Sequence, residues 1–551
     1  MKKMLVEEVI VKTLEANGVQ NAFGFPGETT LPLYKALKES SIKHYLARDE
    51  RCAAHMADGY ARITNKIGVC DAPAGMGVPF LCPALLEAYN SSTPMLAIVS
   101  DTPKELKGKW ATSELDQETM LKPVTKQQYV VSIPNNAAAL TAKAIKESIS
   151  GRSRPTLLQI SYNLFGQTSK YSTLKLLQKK GKTISSNLAI KAIAMLLNAQ
   201  KPLILAGGGV FLSGAENELI RFAEQTMVPV ATTLTGKGAI PEIHPLSLGV
   251  VGGKGRDYSN EYAMQADCVL ILGSKLGEKS TNSWTFFKKT KLIRVDIDKK
   301  ELNNNYNAEI KFNSTVKLAL QTFLKCLTLN IKHQKNKFLN QKKSWSTNFD
   351  KQCEYNSSVV KPQFIIKKLQ ELSPKNTILV ADGSTASGWT GVHWICTDIG
   401  RKFIASRGTG MIGFSLPASI GAKIGASHDK VISISGDGGF MFSCHELETA
   451  HRYNIPIVQI ILNNQSLRLL QQHGKYFLGD EIISNYDNVD FVKLSESCKV
   501  TALEITRKSQ VQNALKTALA AEEPIVLDFK IDRNELSPDF VNTLKRKKIV
   551  A

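Results

Sequence analysis

Short apolar runs alternate along this chain with longer stretches whose apolar residues recur at helical spacing. From residue 1 to about 170 the runs include NAFGFPG, KIGVCDAP, PMLAIVS and PTLLQIS. Such runs between amphipathic helices predict an α/β unit with a mainly parallel sheet. The opening MKKMLVEEVIVKTLEANGV reads as helix from its spacing. After a polar stretch, PLILAGGG, VPVATT, CVLILGS and KLIRVDID predict a second α/β domain over 188–325. The Lys/Asn-rich 330–360 segment reads as a linker. NTILVADG, KFIAS, VISISGDGG, IVQIILNN and PIVLDFK then predict a third domain over 361–535, followed by a basic tail at 536–551. The expectation is three doubly wound parallel-sheet domains, and the first and third share a strand-and-helix rhythm that fits two related halves of one site.

A chain of 551 residues exceeds one hydrophobic core, which agrees with several domains. No apolar run is long enough to cross a bilayer, and acidic residues near the start do not fit a leader peptide, so a cytoplasmic location with no membrane partner is expected. The nine cysteines are scattered without a CxxC pair, which points to neither a disulfide framework nor a zinc site. The +21 balance could attract anions, but much of the excess lies in 331–351 and Leu544–Ile549, outside any recognisable nucleic-acid module. No nucleic-acid partner is expected.

The chemistry concentrates in the third domain. VISIS runs into Gly436-Asp437-Gly438-Gly439 and then a helical stretch, and IVQIIL ends at Asn463-Asn464. Glycines at a strand-to-helix turn let backbone N–H groups approach a diphosphate. Asp437 and Asn464, at the carboxyl ends of two strands, supply hard oxygen ligands suited to Mg²⁺ shared with phosphate oxygens. Each tripeptide alone is a common turn; together, with strand, helix and strand between them, they form a specific signal.

GDG followed by NN at this spacing resembles the thiamine diphosphate fingerprint. The resemblance implies that Asp437, the Asn464 side chain and the Ser466 carbonyl hold Mg²⁺, while Gly436, Gly438, Gly439 and the Gly383-Ser384-Thr385 turn face the diphosphate. ARDERCAAHMADGYAR resembles the segment of the acetolactate synthase family that carries its glutamate, here Glu50, whose carboxyl would share a proton with the cofactor's aminopyrimidine. SRGTGMIGFSLPASIGAKIGA resembles another family segment, which implies that Ile412 supports the bent cofactor and the Gly410 carbonyl accepts from its amino group. Further matches, GFPGETTLPLY, PALLEAYNSSTPMLAIVSD and HPLSLG, fall in order across nearly the whole chain. The resemblance thus implies a pyrimidine-binding, a central Rossmann-like and a diphosphate-binding domain, and a homodimer or homotetramer with sites at the subunit interface.

The implied reaction is decarboxylation of a 2-keto acid with carboligation, as in acetolactate formation from pyruvate in branched-chain amino acid biosynthesis. SELDQETMLKPVTK resembles the family's substrate-bordering segment, which makes Gln117 and Lys126 candidates. Asp116 stands there where an aromatic residue is expected, and Arg468 and His473 depart from the family near the acceptor pocket; either could pair with an anionic group. The acceptor therefore stays open. A simple decarboxylase would usually carry paired histidines in the first domain, where this chain has isolated His44 and His55. A lyase of the same superfamily and a non-catalytic cofactor-binding homologue also stay open, whereas a nicotinamide oxidoreductase leaves GDG…NN and Glu50 unexplained. FAD stays open too, because AGGGVFLSG lacks a third fingerprint glycine and Lys275 and Lys279 stand where the family shows arginines.

Overall fold

The computed structural model describes residues 2–171, 174, 182–327, 338–480 and 484–550, with Lys2 and residues 546–550 described by backbone alone. Three six-stranded sheets, parallel throughout, form three α/β domains. With strands numbered along each domain, the first and third sheets share the order 2-1-3-4-6-5, whereas the central sheet runs 3-2-1-4-5-6. The matched rhythm of the first and third domains is thus a matched topology. The expectation that the opening stretch is all helix needs one change, because Lys2–Leu5 forms an antiparallel ribbon with Thr168–Tyr171 before the helix Val6–Ala16.

The inner strands are the apolar runs read from the sequence. Met95–Asp101 and Ile457–Asn463 are buried along their whole length, as helices on both sheet faces require. One hydrophobic cluster joins the first and third domains, running from Phe23 and Tyr45 through Met56 to Phe414 and Ile461. At its centre the helix Glu50–Thr64 lies against the helix Ser415–Gly425. Contact is backbone to backbone: a Cβ on Gly59 would lie 2.0 Å from the Ala418 carbonyl oxygen, and one on Gly421 would lie 1.8 Å from that of Met56. Gly421→Ala should therefore force the helices apart and destabilise the chain by about 1–3 kcal/mol, read as a lowered midpoint in urea; an unchanged midpoint would refute this packing.

A buried polar network ties the same seam. Arg62 pairs with Asp58 at 2.6 Å and Glu87 at 3.1 Å. Glu87 also accepts from the amides of Arg407, Gly408 and Thr409 at 3.0, 2.7 and 2.7 Å. Burial raises its pKa, but Arg62 and these amides outweigh that effect and hold it down to about 2.

The linker reading of 330–360 needs correction for 338–353. Phe338–Cys353 is a helix whose Trp345 lies 4.7 Å from the Arg256 guanidinium and whose Lys342 donates to the Glu242, His244 and Ser247 carbonyls. Its few apolar residues suffice because one narrow face is covered. The tail likewise continues as a helix, Pro538–Val550, anchored by the fully buried Phe540.

Candidate functional site

The strands Val431–Gly436 and Ile457–Asn463 are neighbours in parallel register, with Gly436 opposite Leu462. Asp437 and Asn464 therefore leave the sheet side by side at its carboxyl edge, where open α/β sheets bind ligands. Asp437 Oδ2 and Asn464 Oδ1 both accept from the Ser466 amide at 3.2 Å, so the two oxygens face a common point. Gln465, at φ +55°, makes the sharp turn, and Arg533 Nε donates to the Asn464 carbonyl at 2.8 Å. Asn463 instead bonds Asp528 at 3.0 Å, which separates the two asparagines into one structural and one ligand-facing residue. The Ser466 carbonyl accepts from the Arg468 amide at 2.9 Å and retains a second lone pair.

This donor set fits a hard divalent cation such as Mg²⁺: a carboxylate and an amide oxygen converge, a backbone carbonyl lies on the adjoining turn, and no soft ligand is among them. Asp437 is 5% exposed, and burial outweighs its hydrogen bonds to push its pKa up to about 6. The sign follows from linkage. A folded-state pKa above the ordinary 3.8 means that this group's favourable contribution, present at low pH, is lost as pH rises through about 6. A cation beside the carboxylate offsets that loss. Removing Mg²⁺ with a chelator should therefore lower the melting temperature more at pH 8 than at pH 5, and equal shifts at both would contradict the assignment.

Facing this pair, Asp382 organises three loops. It accepts from the amides of Gly413, Phe414 and Ser415 at 3.0, 2.8 and 3.1 Å, and a Cβ on Gly439 would lie 2.2 Å from its Oδ2. Gly383 sits where a Cβ would lie 2.3 Å from the Gly410 carbonyl oxygen, and Ile412 packs beside Gly439. Gly383, Gly410, Ile412, Gly438 and Gly439 thus converge, and Thr385 opens the helix Thr385–His393. Ser384 has φ +60° in a position that favours glycine, a local strain of about 1–3 kcal/mol. The Ser384 carbonyl accepts from Lys254 Nζ of the central domain at 2.7 Å. Sequence reasoning missed Asp382 and Lys254. The signal for Asp382 was present, since LVADG repeats the strand–Asp–Gly pattern of SISGDG; Lys254 had none.

Glu50 is the first residue of its helix, capped by Asp49, which accepts from the Cys52 amide at 2.7 Å. It is 7% exposed, and burial raises its pKa, with the Asp49 and Asp71 carboxylates adding to the effect. A Cβ on Gly77 would lie 2.8 Å from Glu50 Oε1, so the glycine leaves the carboxyl its space. His445 of the third domain bonds Asp49 at 2.8 Å and steadies the helix start. Gln117 is buried, donates to the Ser100 carbonyl at 3.0 Å, and its Oε1 has no partner among the described residues.

Lys126 is engaged within its own domain. Its Nζ donates to the Glu147 and Ser150 carbonyls at 2.7 and 2.6 Å, closing the end of the helix Ala137–Ile149. Asp116 caps the helix Gln117–Leu121, which accounts for an acid at that position. Arg468 bonds Gln471 at 2.8 Å, and His473 packs its ring against Phe477 and Phe540.

Around Glu50 lie exposed Met76 and Phe80, at 71% and 50%, and beside the GDGG turn lie exposed Met441 and Phe442. In the central domain Gly207 and Gly209 pack against Gly273, where Cβ atoms would meet backbone at 2.3 and 2.7 Å. Loop packing accounts for those two glycines of the triplet. Lys275 donates to the Asn90 carbonyl at 2.9 Å and Lys279 pairs with Glu278 at 3.0 Å. No helix among the described residues is long and apolar enough to cross a membrane.

Three family models match in chain order: the thiamine pyrophosphate enzyme N-terminal TPP binding domain over 4–120, the central domain over 189–323 and the C-terminal TPP binding domain over 382–529. A probable acetolactate synthase large subunit of Methanocaldococcus jannaschii is 35% identical over 548 residues, spanning 96% of this chain and 92% of that one. The probable large subunit of Methanococcus aeolicus is also 35% identical, over 95% of this chain and 92% of its own. The acetolactate synthase isozyme 2 large subunit of Escherichia coli K12 is 30% identical over 96% of this chain and 95% of its own. Matched by the three domain models in order and by these relatives over nearly its whole length, the chain belongs to the acetolactate synthase large-subunit family of thiamine pyrophosphate enzymes.

Proposed function

We propose that this protein decarboxylates a 2-keto acid and joins the remaining acyl unit to a second carbonyl compound, with acetolactate from two pyruvates as the reaction to test first. The observation that carries the reading is the convergence of Asp437 and Asn464 at adjacent strand ends, opposite the Gly383–Thr385 turn. Asp437, Asn464 and the Ser466 carbonyl hold Mg²⁺, and the Gly438 and Gly439 amides face the diphosphate. When bound, thiamine diphosphate supplies the electron sink that decarboxylation needs.

Burial and two neighbouring carboxylates disfavour the charged form of Glu50, which suits a carboxyl that would share a proton with the aminopyrimidine ring of the bound cofactor. Exposed apolar side chains rim both the Glu50 region and the GDGG turn, which supports a working centre formed between two copies, as a homodimer or a pair of dimers. FAD is not needed for any of these roles.

A simple decarboxylase fits less well: His44 is tied to Asp71 at 2.8 Å and His55 is fully buried against Phe414. Neither is placed to deliver a proton to a product. Incubation of the purified protein with thiamine diphosphate, Mg²⁺ and pyruvate should yield acetolactate in excess of acetaldehyde; acetaldehyde alone would select the decarboxylase reading.

A further inference from the structure

Arg407 lies in the loop between the strand Phe403–Ala405 and Gly410, with Nη1 3.9 Å from where a Cβ on Gly410 would sit. Its backbone is fixed by Glu87, but its guanidinium makes no hydrogen bond, ion pair or ring contact among the described residues. The Glu87 carboxylate is already occupied by Arg62, three loop amides and the Thr409 hydroxyl. Buried Lys254 reaches the same loops from the central domain, donating to the Ser384 carbonyl and to the Ser387 hydroxyl. The acid nearest to Lys254, Asp539, is 4.0 Å away.

We propose that Arg407, with Lys254 beside it, forms an oxyanion site at the seam of the central and C-terminal domains, for a carboxylate or phosphate of a molecule other than thiamine diphosphate. Partly buried cations are ordinarily paired, because burial removes the water that would solvate them. Here the two cations oppose each other: burial, then repulsion from Arg407 and Lys279, set against attraction from Asp539, bring Lys254 down to about 8, and burial also lowers Arg407. An oxyanion between them offsets both burdens, and a guanidinium fork suits carboxylate and phosphate alike. The contacts proposed for the cofactor's diphosphate are the Gly438 and Gly439 amides, whereas Arg407 Nη1 lies beside Gly410. Position beside Gly410 places the bound group next to the reacting centre, so Arg407 acts as a specificity-determining residue for the molecule that carries it.

The inference rests on the thiamine diphosphate reading of the neighbouring loops. Wild type, Arg407→Gln and Arg407→Lys are compared by titrating thiamine diphosphate, then inorganic phosphate on the cofactor-saturated protein, by intrinsic fluorescence, and by the KM for pyruvate. Arg407→Gln should raise the phosphate Kd or the pyruvate KM about tenfold or more, with Arg407→Lys recovering part and cofactor affinity unchanged. A raised KM identifies the carboxylate as the bound group; a raised phosphate Kd alone identifies a phosphate. Unchanged values for both, or loss of cofactor affinity in step with them, would overturn the site. Failure of wild type to bind thiamine diphosphate would instead refute the cofactor reading, and phosphate titration of the cofactor-free chain would still test Arg407.

Discussion

Glu50→Gln should slow exchange of the cofactor's C2 proton by about 10²–10⁴-fold, the usual worth of a positioned acid–base group, while cofactor affinity stays nearly unchanged. The substitution keeps the size and polarity of the side chain and the cap beneath it, since that cap is made by Asp49. What it removes is a titratable proton. Burial and the Asp49 and Asp71 charges raise the Glu50 pKa, so the carboxyl can hold a proton where an exposed glutamate would release it. Deuterium exchange at C2 followed by NMR reads this step apart from substrate binding. An exchange rate equal to wild type would remove Glu50 from the mechanism.

Asp437→Ala should have the opposite signature. It deletes the one carboxylate of the cation-binding set, and losing one partner of a buried charge pair costs about 3–5 kcal/mol. Mg²⁺ and thiamine diphosphate should therefore weaken together, with activity recovered in part at high Mg²⁺. Asp437 also accepts from the Gly438 and Ser466 amides at 3.0 and 3.2 Å, so some loosening of the turn accompanies the loss. Calorimetric titration of the cofactor at two Mg²⁺ concentrations separates these effects. Wild-type cofactor affinity at low Mg²⁺ would show that the ligand set is wrong.

The inner strands were legible because both of their faces are covered, which writes them as continuous apolar runs such as PMLAIVS and IVQIIL. The edge strands were mostly not. Lys43–Leu46, Gln127–Val131, Ile310–Asn313 and Thr501–Ile505 pair on one side only and mix polar with apolar residues, so they read as loop. Asp437 and Asn464 were legible for a local reason: each follows an apolar strand directly, and parallel register brings the two ends together. The partners of Lys126, the Glu147 and Ser150 carbonyls, were not legible because they lie about a helix length further along the chain. Lys254 and Arg407 meet only through tertiary packing of different domains, and no short pattern in the sequence encodes that meeting.

The most direct test of the shared centre mixes two inactive chains. Glu50→Gln and Asp437→Ala, dissociated and re-paired at equal amounts, should recover about a quarter of wild-type turnover, because in a two-fold dimer half of the random pairs contain one intact centre of two. Recovery at that level would place Glu50 of one copy against Asp437 of the other. No recovery, with re-pairing verified by native mass spectrometry, would mean that both residues serve one centre within a single chain and would contradict the shared site.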